Sequence, residues 1–191
     1  MTIDEIKREL KKILKPGRFN HTIGVMNTSV KLAQTYGADE SKAAMAGLLH
    51  DCAREIKGEV LFELCERYHI PVDDVCRTQP ELLHGPLGSK LSEEVYGVSD
   101  REVLDAVCYH TTGRENMSLL EKIVFVADII EPSRNFKGVD EIRKNAFVDL
   151  DKAVLAALDG SIRYVLSKGA LLHIDTVNSR NYLINEINKR W

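Results

Sequence analysis

The sequence lacks several features that would assign it to common classes of protein. None of its four cysteines (Cys52, Cys65, Cys76 and Cys108) forms a C-x-x-C pair, so neither a thiolate zinc site nor a redox motif is indicated. The apolar stretch 123–130 is far shorter than the roughly 20 residues that span a bilayer. Lys and Arg number 26 against 29 Asp and Glu. This balance argues against nucleic acid as the partner.

The amino terminus also lacks the apolar core and the small-residue cleavage site of a signal peptide. Scattered cysteines in such a chain are typical of reduced, buried thiols. We therefore expect a cytoplasmic protein with no membrane segment. Its 191 residues suffice for one domain with a substantial core.

Apolar residues recur at helical spacing along most of the chain, and no stretch shows the period-two alternation of a strand. Thr2 is expected to cap a first helix that Pro16-Gly17 ends. Irregular segments are expected at 70–80, 111–116 and 132–138. Further helices are predicted over residues 18–36, 39–52, 59–68, 85–96, 100–110, 118–130, 149–167 and 176–189. The pattern predicts one compact all-α domain.

Two carboxylates fall in segments that read as buried helices. His50-Asp51 ends the small, apolar run 43–49, and Asp128 lies within the apolar stretch 123–130. A buried carboxylate without a partner costs several kcal/mol, so each needs a cation, a histidine or a metal. An ion pair of Asp128 with Arg54 or Arg134 is the alternative to a metal.

Three more histidines occupy comparable positions. His21 lies in the second helix, His84 precedes a helix start at Gly85, and His110 ends the apolar stretch 103–109. Taken alone, the position of His21 favours a hydrogen-bonded core histidine over a metal ligand. The joint pattern of imidazoles and carboxylates on facing helices is how helical bundles build metal sites. Such a set suits divalent Mn, Fe, Co, Ni or Zn.

These positions resemble the H…HD…D signature of the HD-domain phosphohydrolase superfamily, from about residue 18 to residue 131. Within it, the sequence looks like the YqeK family of symmetrical bis(5′-nucleosyl)-tetraphosphatases, which split diadenosine tetraphosphate into two ADP. The segments that carry this resemblance are RFNHT at 18–22, GLLHDCAR at 47–54, LHGP at 83–86, YHTTG at 109–113, ADIIEPSR at 127–134 and HIDTVNSR at 173–180.

The resemblance implies a single HD domain over residues 1–191, folded as a helical bundle. The core of this bundle, about 18–131, would hold the metal site, and the amino- and carboxyl-terminal helices would pack on it. It implies that one or two divalent ions, with iron favoured, are bound. The implied metal ligands are His21, His50, Asp51 and Asp128. Asp51, His84 and His110 would act in catalysis. The residues implied to contact the substrate are His21, Arg54, His84, His110, Thr111, Arg134, His173, Asp175 and Asn178.

The implied reaction is attack by a metal-activated hydroxide on an inner phosphate of the dinucleoside polyphosphate, with ADP as product. Another HD-type phosphohydrolase, acting on a nucleoside 5′-monophosphate, a cyclic nucleotide or guanosine tetraphosphate, is the alternative. A non-catalytic nucleotide-binding module and a helical structural protein are further alternatives. The exposed faces of the first and last helices are compatible with pairing to a second copy, so the sequence does not exclude a homodimer.

Overall fold

The computed structural model describes residues 1–189, and over this range its regular structure is helical without a β-strand. This confirms the all-α expectation. None of the helices in this range is both long and apolar enough to cross a membrane. A short 3₁₀ helix (Pro80–Leu83) precedes α6. The α-helices are α1 (Ile3–Ile13), α2 (Pro16–Tyr36), α3 (Glu40–Leu49), α4 (Glu59–Arg67), α5 (Asp74–Thr78), α6 (His84–Glu94), α7 (Arg101–Tyr109), α8 (Leu119–Ile130), α9 (Val139–Ala146), α10 (Leu150–Ser167) and α11 (Ile174–Asn188).

Side-chain caps set most of the helix starts. Thr2 and Ser118 each form a capping box, with Glu5 and Glu121 respectively, at the starts of α1 and α8. Asp39 accepts hydrogen bonds from the backbone N–H groups of the first turn of α3. These side chains satisfy donors that have no partner within the helix. The expected caps at Thr2 and Asp39 are confirmed.

Several predicted boundaries were wrong. Pro16 begins α2 rather than ending α1, which already stops at Ile13, because a proline in the first helical turn sacrifices no hydrogen bond. The segment 70–80, predicted to be irregular, contains α5, whose start Asp73 caps. Helix α9 was not predicted either. Both are short helices, so few residues carry their apolar period.

Helices α2, α3, α7 and α10 pack around α8, which lies at the centre of the main core. Two glycines allow close helix approach there. A Cβ on Gly47 of α3 would lie 2.9 Å from the Cα of Met26 in α2, and a Cβ on Gly85 of α6 would lie 2.5 Å from the carbonyl oxygen of Cys108 in α7. Each glycine is within three residues of a histidine expected at the site. Close packing therefore brings those histidines toward one point.

The cysteines have no disulfide partner, as expected. Cys52, Cys65 and Cys76 are buried, whereas Cys108 is only partly so.

Candidate active site

Six of the predicted site residues meet in the interior between α2, α3, α6, α7 and α8. His50 and His110 follow the last residues of α3 and α7, and His84 is the first residue of α6. The side chains come from five elements that are distant in sequence. All but Asp128, which is partly buried, lie less than a tenth exposed. The six are His21, His50, Asp51, His84, His110 and Asp128.

Asp51 lies at the centre of the group and divides its two oxygens between two pairs of histidines. Its Oδ2 is 3.3 Å from His50 Nε2 and 3.7 Å from His21 Nε2. Its Oδ1 is 3.0 Å from His84 Nε2 and 4.0 Å from His110 Nε2. One carboxylate thus joins two neighbouring clusters of nitrogen atoms.

In three of the histidines, the hydrogen bond made by Nδ1 determines whether Nε2, the nitrogen that faces the centre, carries a proton. His50, His84 and His110 each direct Nδ1 at the carbonyl oxygen three residues earlier in the chain. The separations are 2.8 Å for His50 and 2.7 Å for His110. A carbonyl can only accept a hydrogen bond, so Nδ1 carries the proton and a neutral ring leaves its lone pair on Nε2.

His21 reaches the same state with a different partner. Its Nδ1 lies 2.9 Å from Oε1 of Glu131, a carboxylate that is almost fully buried. The inner atoms of the four rings then face one another, with His21 Nε2 3.3 Å from His50 Nε2 and His84 Nε2 3.0 Å from His110 Nε2. Facing lone pairs at such distances repel unless a cation lies among them. The donor set therefore fits a bound metal ion.

The carboxylates of the site are held ionised. Burial opposes the charge of Asp51, but the charge of His50 and the hydrogen bonds that His50 and His84 donate when their rings are protonated bring its pKa well below the ordinary value. Burial also opposes the charge of Asp128, yet a hydrogen bond from His21 and the charges of His50 and Arg134 hold its pKa well below the ordinary value. Two negative charges in a buried site favour a cation between them.

The imidazoles of the site differ in their electrostatics. Burial works against a charged His50, but the adjacent Asp51 and then Asp128 raise its pKa overall. Burial, together with the neighbouring His84 and His50, lowers the pKa of His110 to about 3. His110 is therefore neutral at pH 7, and positive charge is favoured at the His50 end of the site.

Three overlapping triads at this centre have ligand atoms close enough to share a metal ion. The triads are His21–His50–Asp51, His50–His110–Asp128 and Asp51–His84–His110. Mixed imidazole and carboxylate sets suit divalent transition metals. A fourth triad, Asp73–Cys76–His173, lies apart. There the Asp73 carboxylate caps α5 and His173 Nδ1 accepts a hydrogen bond from the backbone N–H of Asp175.

The predicted arginines border the histidine centre. Arg134 donates a hydrogen bond to Asp128 Oδ1 and another, of 2.8 Å, to its carbonyl oxygen. The ion pair that the sequence offered as the alternative for Asp128 is therefore present, beside a 3.0 Å contact of the same carboxylate with His21 Nε2. Arg54 lies 3.1 Å from His84 Nδ1 through its guanidinium. Both arginines are close enough to meet an anion at the site.

A cavity of about 870 Å³ adjoins the centre, reaching it through Thr111 and Arg134. The hydroxyl of Thr111 lies 3.1 Å from His110 Nε2. The cavity extends along α10 to Tyr164 and to His173. Within residues 1–189, Asp175 and Asn178 of α11 are not among the residues that line it. Of these three predicted substrate contacts, His173 lines the cavity, whereas Asp175 and Asn178 do not.

Two residues at the site, Arg18 and Glu131, were not predicted from the sequence. Arg18 donates a 2.8 Å hydrogen bond to Asp51 Oδ2. Glu131 supports His21, and its pKa is lowered by bonds from Ser133 and His21 that outweigh its burial. Each lies three residues from a predicted ligand on a helix, Arg18 before His21 and Glu131 after Asp128. Spacing of three places two residues on the same helix face, which was the available signal.

Comparison with known proteins agrees with this geometry. The HD domain model matches residues 18–133. Two relatives named symmetrical bis(5′-nucleosyl)-tetraphosphatase are 39% identical over 97% of this chain and 99% of the relative (Bacillus subtilis) and 42% identical over 93% and 94% (Halalkalibacterium halodurans).

A crystal structure of a predicted HD superfamily hydrolase involved in NAD metabolism from Clostridium acetobutylicum is also similar. It superposes with a TM-score of 0.94 at 47% identity, covering 97% of this chain and 98% of that one. The spacing of the histidines and aspartates, the helical fold and these similarities agree. The chain therefore belongs to the HD domain family, in the group that contains the symmetrical bis(5′-nucleosyl)-tetraphosphatases.

Proposed function

We propose that this protein is a metal-dependent hydrolase that cleaves diadenosine tetraphosphate and related dinucleoside polyphosphates symmetrically, with ADP as the product. The observation that carries the proposal is the convergence of four imidazole Nε2 atoms and two ionised carboxylates beside a large cavity. The names of the close relatives support the substrate and the symmetric cut.

In this proposal His21, His50, Asp51 and Asp128 hold the first divalent ion. Iron is the favoured occupant, with Mn, Co, Ni or Zn also compatible with such ligands. The triad Asp51–His84–His110 offers a position for a second ion, because Asp51 presents its other oxygen there. A bound divalent ion lowers the pKa of water towards about 7, so that hydroxide is available near neutral pH.

The chain's own residues then bind and orient the polyphosphate. Arg134 and Arg54 border the centre and supply guanidinium groups, whose planar fork matches phosphate oxygens. His84 and His110 lie on the side of Asp51 Oδ1, where their Nε2 lone pairs would meet the phosphate through the second ion. Thr111 offers a hydroxyl at the mouth of the cavity. One nucleoside occupies the cavity, with His173 at its far end. Asp175 and Asn178 do not line the cavity and are given no contact with the substrate in this proposal.

The test of this proposal is a product assay on the purified protein. Metal-loaded protein incubated with diadenosine tetraphosphate should release ADP as the only nucleotide product, as measured by ion-exchange chromatography. Asp51→Asn, which keeps the shape of the side chain but removes its charge, should show no turnover and controls for contaminating hydrolases.

Other outcomes would contradict the proposal in different ways. ATP plus AMP would refute the symmetric cut. Faster turnover of a nucleoside monophosphate, a cyclic nucleotide or guanosine tetraphosphate would move the assignment to another HD phosphohydrolase. Binding of metal and ADP without turnover would indicate a binding module.

A further inference from the structure

His21 differs from the other three histidines of the centre in how its outer nitrogen is held. His50, His84 and His110 stand at helix boundaries, where carbonyl oxygens of the preceding turn lack helical partners. His21 lies inside α2, whose carbonyl oxygens are engaged in helical hydrogen bonds. It therefore needs a partner from elsewhere in the chain. That partner is Glu131, 110 residues away.

Glu131 is itself fixed at both oxygens. Its Oε2 accepts a 2.8 Å hydrogen bond from the backbone N–H of Ser133, and its Oε1 accepts one from the Ser133 hydroxyl as well as facing His21 Nδ1. The residue is only 1% exposed and packs against Gly24, which limits the rotamers it can adopt. A small displacement of one oxygen breaks a bond at the other.

Gly24 is the residue of α2 that gives this carboxylate its space. A Cβ at Gly24 would lie 2.5 Å from Glu131 Oε2 and 3.3 Å from its Cδ. Gly24 follows His21 by three residues, so it lies on the same face of the helix. Glycine inside a helix lowers helix stability relative to alanine. The close approach of Glu131 is a physical reason for glycine at this position.

We propose that Glu131 and Gly24 form a positioning pair for the metal centre: Gly24 admits the Glu131 carboxylate, which holds His21 with its proton on Nδ1 and its Nε2 free for the metal. Glu131 acts through His21 and does not itself bind the ion. This inference rests on the metal site of the proposed function. The measurement that tests the pair is metal affinity, so the role of Glu131 and Gly24 can be refuted while the proposed hydrolysis remains supported.

Zn²⁺ affinity of the full-length protein, measured by competition with a chromophoric chelator, tests the pair. Glu131→Ala should weaken Zn²⁺ binding about 10- to 100-fold, the usual range for removing a partner behind a ligand. Gly24→Ala should weaken it about 10-fold by displacing the carboxylate. Gly17→Ala in the same helix is the matched control, because a Cβ there meets nothing within 4 Å. It should bind Zn²⁺ like the parent protein.

The double variant Gly24→Ala/Glu131→Ala distinguishes the proposed pair from a general packing defect. With the carboxylate gone, the Cβ at position 24 has room, so the double variant should bind Zn²⁺ within about 2-fold of Glu131→Ala alone. An additive loss would overturn the role of Gly24. Unchanged affinity in Glu131→Ala would overturn the role of Glu131.

A ¹⁵N spectrum of the histidine rings in the metal-free protein provides a readout that a purely structural role would not move. The parent protein should show a proton on His21 Nδ1. Glu131→Ala leaves Asp128 Oδ1, 3.0 Å from Nε2, as the remaining acceptor and should move the proton towards Nε2. If Glu131→Ala does not fold, Glu131→Leu, which fills more of the space but has no acceptor for the Nδ1 proton, replaces it in both measurements. Persistence of the pure Nδ1–H form in these variants would refute the proposal.

Discussion

Asp128 combines two roles that sequence reasoning treats as alternatives. Its carboxylate faces both His21 and Arg134, so the ion pair and the proposed metal ligand coexist on one side chain. The apolar run around Asp128 is enough to predict that it needs a partner. The same reasoning passes over Glu131, because Glu131 stands at the end of that run, where exposure is the ordinary expectation. The packing of α2 against α8 places His21 and Gly24 against it, so that it is buried.

A pair of substitutions tests the division of labour between residues. Asp128→Ala should abolish both metal binding and turnover, because no other carboxylate of α8 reaches the centre. His173→Asn should keep metal occupancy and raise KM for diadenosine tetraphosphate about 10-fold, equivalent to one hydrogen bond of about 1.4 kcal/mol. Asparagine is chosen because it is a good helix cap, and His173 caps α11.

Metal content by elemental analysis and steady-state kinetics measure the two effects. Full metal occupancy in Asp128→Ala would make Asp128 a structural partner of Arg134. Equal loss of metal in both variants would contradict the separation of ligand and substrate contacts.

At the scale of the helices, glycines explain how ligands from distant segments meet. Gly47 lies where α3 crosses α2, and its absent side chain lets His50 and Asp51 approach His21. The apolar period predicts α3 itself, and Asp39 predicts its start. Neither indicates which helix it contacts at Gly47, because crossing partners depend on contacts between segments far apart in sequence. For the same reason, the distances between the ligand atoms of the centre could not be predicted from the sequence.

Gly47→Ala should destabilise the metal-free protein by about 1–3 kcal/mol, since the new Cβ meets the Met26 backbone, which cannot move aside. Gly160→Ala in α10 is the matched control, because a Cβ there meets nothing within 4 Å. It should raise stability by up to about 1 kcal/mol through helix propensity. Urea unfolding measures both. Equal stabilisation by the two substitutions would show that α2 and α3 do not pack as closely as described.

At the scale of the whole molecule, neither the net charge nor the lining of the cavity supplies an excess of positive charge for an anionic substrate. The chain carries a net charge of −3, yet the proposed substrate is a polyanion. Three basic residues line the cavity, and three acidic residues balance them: Arg134, Lys137 and Arg163 against Glu81, Glu141 and Asp159. The proposed ions would therefore supply the excess positive charge, at the inner end of the cavity. Composition could exclude a nucleic-acid binder of the usual basic kind. It could not reveal a local site, because the charge of a cleft depends on which side chains the fold assembles.

The location of the bound metal tests the account most directly. Crystals of the protein loaded with Mn²⁺ or Fe²⁺, measured with anomalous scattering at the absorption edge of that metal, should show a peak bound by His21, His50, Asp51 and Asp128. A second peak beside His84 and His110 would establish a two-ion centre. A fully loaded crystal whose peak lies only at Asp73, Cys76 and His173, or one with no peak among the four ligands, would contradict the account.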